Sequence, residues 1–126
     1  MKAKKRFGAD ILAAIRKDKI LGIRAGSGPH RTIGIWMVVV EGRVFVRSWS
    51  LKPRSWWRTF LEDPYGSIFI ADREISIRAV HTRSERLKDA VSQAYEEKYN
   101  TPGSIQYVKE MSRGRSRETT TELVPV

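Results

Sequence analysis

The spacing of apolar and polar positions changes period several times along the chain, and each change marks an element. Phe7, Ile11 and Ile15, flanked by Leu12 and Ala14, recur at helical spacing and predict a short amphipathic helix over about Gly8 to Lys17. Ile20 to Ala25 reads as a strand that runs into Gly26-Ser27-Gly28-Pro29, a loop by composition. From Arg31 to Val40 both alternating sets are rich in β-branched and aromatic residues, the pattern of a strand covered on both faces. Glu41-Gly42 makes a tight connection to Val44 to Trp49, which predicts a hairpin. Pro53 can open a short helix, since its missing N–H would be unpaired in a first turn anyway. Trp56, Trp57, Phe60 and Leu61 form that helix's apolar side, and Asp63-Pro64-Tyr65-Gly66 ends it. A second hairpin follows, Ser67 to Ala71 and Glu74 to Val80, with its turn around Asp72-Arg73.

The strongest helical pattern comes next. Thr82 is placed to cap it with Glu85 as the reciprocal partner, and Leu87, Ala90, Val91, Ala94, Tyr95 and Tyr99 share one face. Asn100-Thr101-Pro102-Gly103 stops it, and Ile105 to Met111 and Arg117 to Leu123 read as two more extended segments. Strands joined by tight turns pair antiparallel, so the order predicts a mainly β barrel or sandwich with helices packed outside.

The 126 residues suit one domain over 1–126, with residues 1–6 a basic tail expected to be disordered. The absence of cysteine removes disulfides, thiolate metal sites and cysteine nucleophiles, and fits a reducing compartment. His30 and His81 are too few for a histidine-built centre, so no metal is expected. The longest apolar run, Ile33 to Val40 broken by Gly34, falls far below the ~20 residues that span a bilayer. No apolar stretch of signal-peptide length follows the basic start, so a cytoplasmic protein without a membrane partner is expected. The net charge of +10 attracts anions of many kinds, and where it sits matters more than its size.

Three sets of residues could carry chemistry. The first is Val46-Arg47-Ser48-Trp49-Ser50-Leu51-Lys52 at the exit of the third predicted strand. An arginine between two aromatics in an apolar strand is costly to bury unless an anion or a carboxylate meets it. A phosphate would suit Arg47, with Ser48, Ser50 and Lys52 as further donors, and a core-edge glutamate such as Glu74 is the plainer partner. The second is Arg24 to Thr32, where a glycine-rich loop precedes basic residues and can bring N–H groups to a phosphate; the same residues also make an ordinary turn. The third is Trp36, Trp49, Trp56 and Trp57. They could stack on a planar ring, but each also buries about 150–250 Å², so no more than two are expected to touch a ligand.

Ser27-Gly28-x-x-Arg31, the hairpin ending in Val46-Arg47-Ser48, then Pro53, Trp56-Trp57 and Asp63-Pro64, together resemble the small deazaflavin-dependent nitroreductases. These belong to the pyridoxamine-phosphate-oxidase-like superfamily. Ile35-Trp36, Trp57-Arg58 and Ala94-Tyr95-x-x-Lys98-Tyr99 also resemble a bacterial domain-of-unknown-function branch of it. The resemblance implies a six-stranded antiparallel split β-barrel, usually a homodimer, that holds FMN or a deazaflavin at the subunit interface. It implies phosphate contacts at Ser27, Gly28, Arg31 and Ser48, with Trp57 bordering the ring or the interface; Thr32 from the glycine-rich segment and Trp36, Arg47 and Lys52 from a basic, aromatic-lined groove complete the expected cofactor-binding set. The chain departs from the deazaflavin pattern at Gly26, where a basic residue is common, and at Arg58-Thr59-Phe60.

Three functions follow. One is a flavin- or deazaflavin-binding oxidoreductase. Another is a nucleic-acid module using the basic tail and Arg113-Gly114-Arg115-Ser116-Arg117, disfavoured because Glu85, Asp89, Glu96 and Glu97 make the long helix partly acidic. The third is a cofactor-free protein of the same fold.

Overall fold

Strands with alternating burial hydrogen-bond into one antiparallel sheet in this computed structural model, which describes residues 6–28, 31–49 and 55–126. The first helix, α1 (Ala9–Lys17), precedes strands β1 (Leu21–Ala25), β2 (Ile33–Ile35), β3 (Met37–Val40) and β4 (Arg43–Val46). After α2 (Trp56–Glu62) come β5 (Tyr65–Ile70), β6 (Arg73–His81) and α3 (Glu85–Lys98). Two short helices, α4 (Ile105–Met111) and α5 (Gly114–Glu118), lead to β7 (Thr121–Pro125). The strand order is β2-β1-β5-β6-β7-β4-β3.

The two edge strands, β2 and β3, are neighbours in sequence, separated only by Trp36. The sheet is therefore curled nearly into a barrel, as expected, but with seven strands instead of six. The extra one arises because the run from Arg31 to Val40 bends at Trp36: its first half pairs with β1 and its second half with β4. Below the bend, β3 is covered on both faces. Met37 and Val39 face the barrel core, and Val38 and Val40 face the helices.

Burial of apolar side chains gives two clusters. Ile15, Ile23, Met37, Val44, Val46, Ile68, Ile77 and Leu123 fill the barrel beneath α1. Phe45, Val38, Leu87, Val91, Tyr95, Val108 and Met111 fill the layer under α3 and α4. Each side chain so buried contributes about 1.5–3 kcal/mol relative to exposure. Both hairpins close through two residues in the left-handed region, Glu41 (φ 55°) with Gly42 (φ 71°) and Ala71 (φ 51°) with Asp72 (φ 59°). That geometry matches the twist of the flanking strands. The second turn thus falls one residue before the predicted Asp72-Arg73.

Three further expectations are corrected. Ser84, not Thr82, caps α3 by accepting from the Leu87 N–H, while the Thr82 N–H donates to the Thr120 carbonyl. Ile105 to Met111 is helical, because Ile105, Val108 and Met111 recur every third residue and meet α3 with one face. Arg117 to Leu123 is split between the end of α5 and the start of β7. Pro53 lies outside the described residues; Ser55 caps α2 and accepts from the Arg58 N–H.

Candidate functional site: a cleft where two strands part

The β3–β4 ladder runs from Val40 opposite Arg43 to Met37 opposite Val46, and stops. At the next pair a phenol takes the place of a ladder bond. The Arg47 N–H donates to Tyr95 Oη at 3.1 Å, and Tyr95 Oη donates to the Trp36 carbonyl at 2.8 Å. Beyond that bridge β2 turns away to pair with β1, leaving a gap between Ile33–Ile35 and Arg47–Trp49. The gap is a cleft of about 550 Å³, within the range of small-molecule sites.

Aromatic side chains wall this cleft. Trp36 stacks on Tyr99 with ring centroids 4.3 Å apart and planes 9° from parallel, and meets Tyr107 edge-on at 6.4 Å. Tyr107 in turn meets Trp49 edge-on at 6.0 Å, and Trp49 Nε1 donates to Glu110 at 2.8 Å. Trp56 and Ser55 approach from the start of α2, and Met111 from α4. Arg47 and Ser48, both almost fully buried, form the base.

The Arg47 guanidinium is held entirely by neutral oxygens. Nε donates to Thr120 Oγ1 (2.8 Å), Nη1 to Ser92 Oγ (2.8 Å) and the Met111 carbonyl (2.9 Å), and Nη2 to the Lys88 carbonyl (2.7 Å). It also lies 5.9 Å from the Tyr95 ring centroid. Burial lowers its pKa to about 10, so it remains charged at neutral pH. Glu74 is not its partner; that carboxylate accepts from Arg24 at 2.7 Å and from Ser67 at 3.0 Å.

Trp36, Arg47 and Ser48 therefore meet at one cleft, together with Trp49 and Trp56 of the aromatic set. Three of the four tryptophans line it. Ser27 and Gly28 lie elsewhere, on a polar cavity of about 470 Å³ beside Arg24 and Glu74. Both the N–H and Oγ of Ser27 donate to Asp63, at 2.7 and 2.6 Å. Arg31 and Thr32 are exposed just before β2. Trp57 faces a depression of about 260 Å³ with Arg58, Arg115 and Glu118, and its buried Nε1 has no partner among the described residues. Lys52 and His30 lie outside the described residues, and His81 Nε2 sits 2.8 Å from the Glu118 carbonyl. No cluster of metal-ligating side chains occurs among the described residues, and no described helix is long and apolar enough to cross a membrane. Sequence reasoning missed Tyr107 and Met111. Their i, i+4 spacing was the available signal, masked by reading the segment as a strand.

Over residues 12–123 the sequence matches the family described as "Uncharacterized protein conserved in bacteria (DUF2255)". The chain belongs to DUF2255. Several solved structures share the fold of this DUF2255 protein. The conserved hypothetical protein Rv2991 from Mycobacterium tuberculosis is 15% identical, with 100% of this chain and 84% of that one covered and a TM-score of 0.59. An F420-H2 dependent reductase (FDR-A) is 19% identical, with 83% of this chain and 91% of that one covered and a TM-score of 0.57. A structure described as a domain-swapped dimer is 18% identical, with 85% of this chain and 78% of that one covered and a TM-score of 0.56. No curated protein matches the DUF2255 chain.

Proposed function

We propose that this DUF2255 protein is a cytoplasmic homodimer that binds a deazaflavin or FMN in the Trp36 cleft and acts as an oxidoreductase. The observation that carries the reading is the aromatic-walled cleft of about 550 Å³ at the parting of β2 and β4, in a fold shared with an F420-H2 dependent reductase. The cleft suits a planar tricyclic ring. One face of Trp36 is fixed against Tyr99, so the indole is a rigid surface for stacking. Bound there, the cofactor supplies the hydride chemistry, and the chain binds, orients and keeps water away.

In this reading Trp36, Trp49, Trp56 and Tyr107 hold the ring, Ser48 sits at its base, and Arg31, Thr32 and Lys52 serve the phosphate side. Ser27 and Gly28 join them only if Asp63 releases the Ser27 donors. Trp57 borders the subunit interface. Dimerisation is supported by the apolar groups left exposed at the cleft mouth, Ile33, Trp49 and Tyr107, and by the domain-swapped dimer among the structural neighbours.

A second reading, a cofactor-free protein of the same fold, is favoured by one observation: the donors of Ser27 and most of those of Arg47 are already taken. Fluorescence and absorbance titrations with F420 and with FMN separate the two. The expected outcome is saturable binding of one of them, weakened about tenfold or more in Trp36→Ala, the loss of roughly one stacking contact. No saturation with either cofactor would leave the cofactor-free reading.

A further inference from the structure

Among the described residues that line the cleft, Arg47 alone carries a charge. A buried guanidinium is ordinarily matched by a carboxylate, because neutral oxygens satisfy its hydrogen bonds but not its charge. Here every protein acceptor is neutral: Thr120 Oγ1, Ser92 Oγ and the carbonyls of Met111 and Lys88. A guanidinium has five N–H groups. Nε uses one, Nη1 two and Nη2 one, so the second N–H of Nη2 has no acceptor among the described residues.

Of the acidic groups nearby, Glu110 accepts from Trp49 Nε1 on the wall of the cleft and makes no bond to Arg47, and the two nearest in charge effect, Asp89 and Glu118, lie outside this layer. Their side chains are 76% and 58% exposed, and they pair with Arg117 and Lys88. Glu85, the third carboxylate of that surface network, is likewise held by Lys88 and Arg117. Water and two cations thus answer those carboxylates, while Arg47, almost fully buried, lines the aromatic cleft.

We propose that the cleft selects aromatic ligands that carry a negative charge, with Arg47 as the specificity-determining residue. This rests on the cleft being a ligand site, but not on the ligand being a flavin. Aromatic walls alone would disfavour an anion, because they remove its hydration. A matched positive charge beneath them reverses the preference.

The opposite signs make a test in the unaltered protein. The probe is 7-hydroxycoumarin, a planar bicycle whose neutral and phenolate forms fluoresce differently. Desolvation by the walls would raise the titration midpoint of the bound probe, and Arg47 should lower it by about one pH unit or more. Long-range attraction by the net charge of +10 is removed by repeating the titration in about 0.5 M NaCl, where exposed charges are screened within a few ångströms. The lowered midpoint should persist there, and Trp36→Ala should weaken binding of the probe about tenfold. Arg47→Lys should keep the downward shift and Arg47→Met, where it folds, should turn it upward. A midpoint unchanged or raised in the unaltered protein, a shift abolished by salt, or no binding of either form of the probe would each overturn the proposal. A lowered midpoint without F420 or FMN binding would sink the flavin reading and leave this one standing. Flavin binding with a raised midpoint would do the reverse.

Discussion

Tyr95 has no solvent exposure, yet its phenol joins two backbone groups at the point where the strands part. Tyr95→Phe removes both bonds while keeping the ring. It should cost about 1–3 kcal/mol for each backbone group left unpaired, read as a lower urea midpoint at unchanged slope. A change below a few tenths of a kcal/mol would mean that the strands close the gap by themselves. Lys98 makes a second residue-scale prediction. Its ammonium donates to the carbonyls of Ile15 (2.6 Å) and Met37 (2.7 Å), and burial, with Lys19 nearby, pulls its pKa down to about 8. An unfolded lysine titrates near 10.4, so between pH 8 and about 9, below the titration of unfolded tyrosine, the unfolded chain binds more protons and stability should rise with pH. Urea midpoints at both ends of that window should show the rise in the unaltered protein and a loss of it in Lys98→Met. Periodicity shows which face of α3 is buried, so it placed Tyr95 in the core. It does not show that a phenol there reaches Arg47 and Trp36, 48 and 59 positions away. Arg47 stood out in the sequence because charge is expensive in an apolar strand. Its acceptors come from α3, α4 and the segment before β7, which no local pattern joins to it.

The hairpins were legible because their signals are local: an alternating strand, a tight turn and a second alternating strand. The helices α4 and α5 were not, since seven and five residues carry too few turns for a period to stand out from a strand. With α4 misread, the part of the cleft wall made by Tyr107 and Met111 disappeared from view. The bend at Trp36 was hidden for a different reason. β-propensity is high on both sides of Trp36, Gly34 apart, and only pairing with different neighbours separates β2 from β3. Packing between β1 and β5 is tight enough to test. A Cβ built on Gly66 would lie 2.3 Å from the Arg24 carbonyl, whereas one on Gly103 would meet nothing within 4 Å. Gly66→Val should therefore destabilise by about 1–3 kcal/mol or more, and Gly103→Val by much less. Equal urea midpoints for the two variants would show that β5 shifts freely.

Across the whole molecule, the excess positive charge is partly tied down. Arg117, in the basic run 113–117, donates to Asp89 at 2.8 Å and to Glu85 at 3.1 Å, and so is engaged before any phosphate arrives. A nucleic-acid complex on this surface should weaken steeply with salt, with a log–log slope near −0.9 for each phosphate contact on duplex DNA. Binding of FMN or F420 in the aromatic cleft should change little over the same range, and parallel titrations at low and physiological salt check this. Sedimentation at micromolar concentration should show a dimer; a monomer alone would remove the interface from the proposed site. The arrangement of strands has a separate bearing on how the chain acquires its shape. β7 lies between β6 and β4, with Leu123 opposite both Val44 and Ala79. During synthesis the ribosome therefore releases strands β1 to β6 before the strand that joins β4 to β6. Closure must wait for pairings that reach from β7 back to β4, and such non-local contacts favour slow folding. Until then the nascent protein offers bare strand edges to any neighbour, and a second copy at the same stage could supply the missing strand.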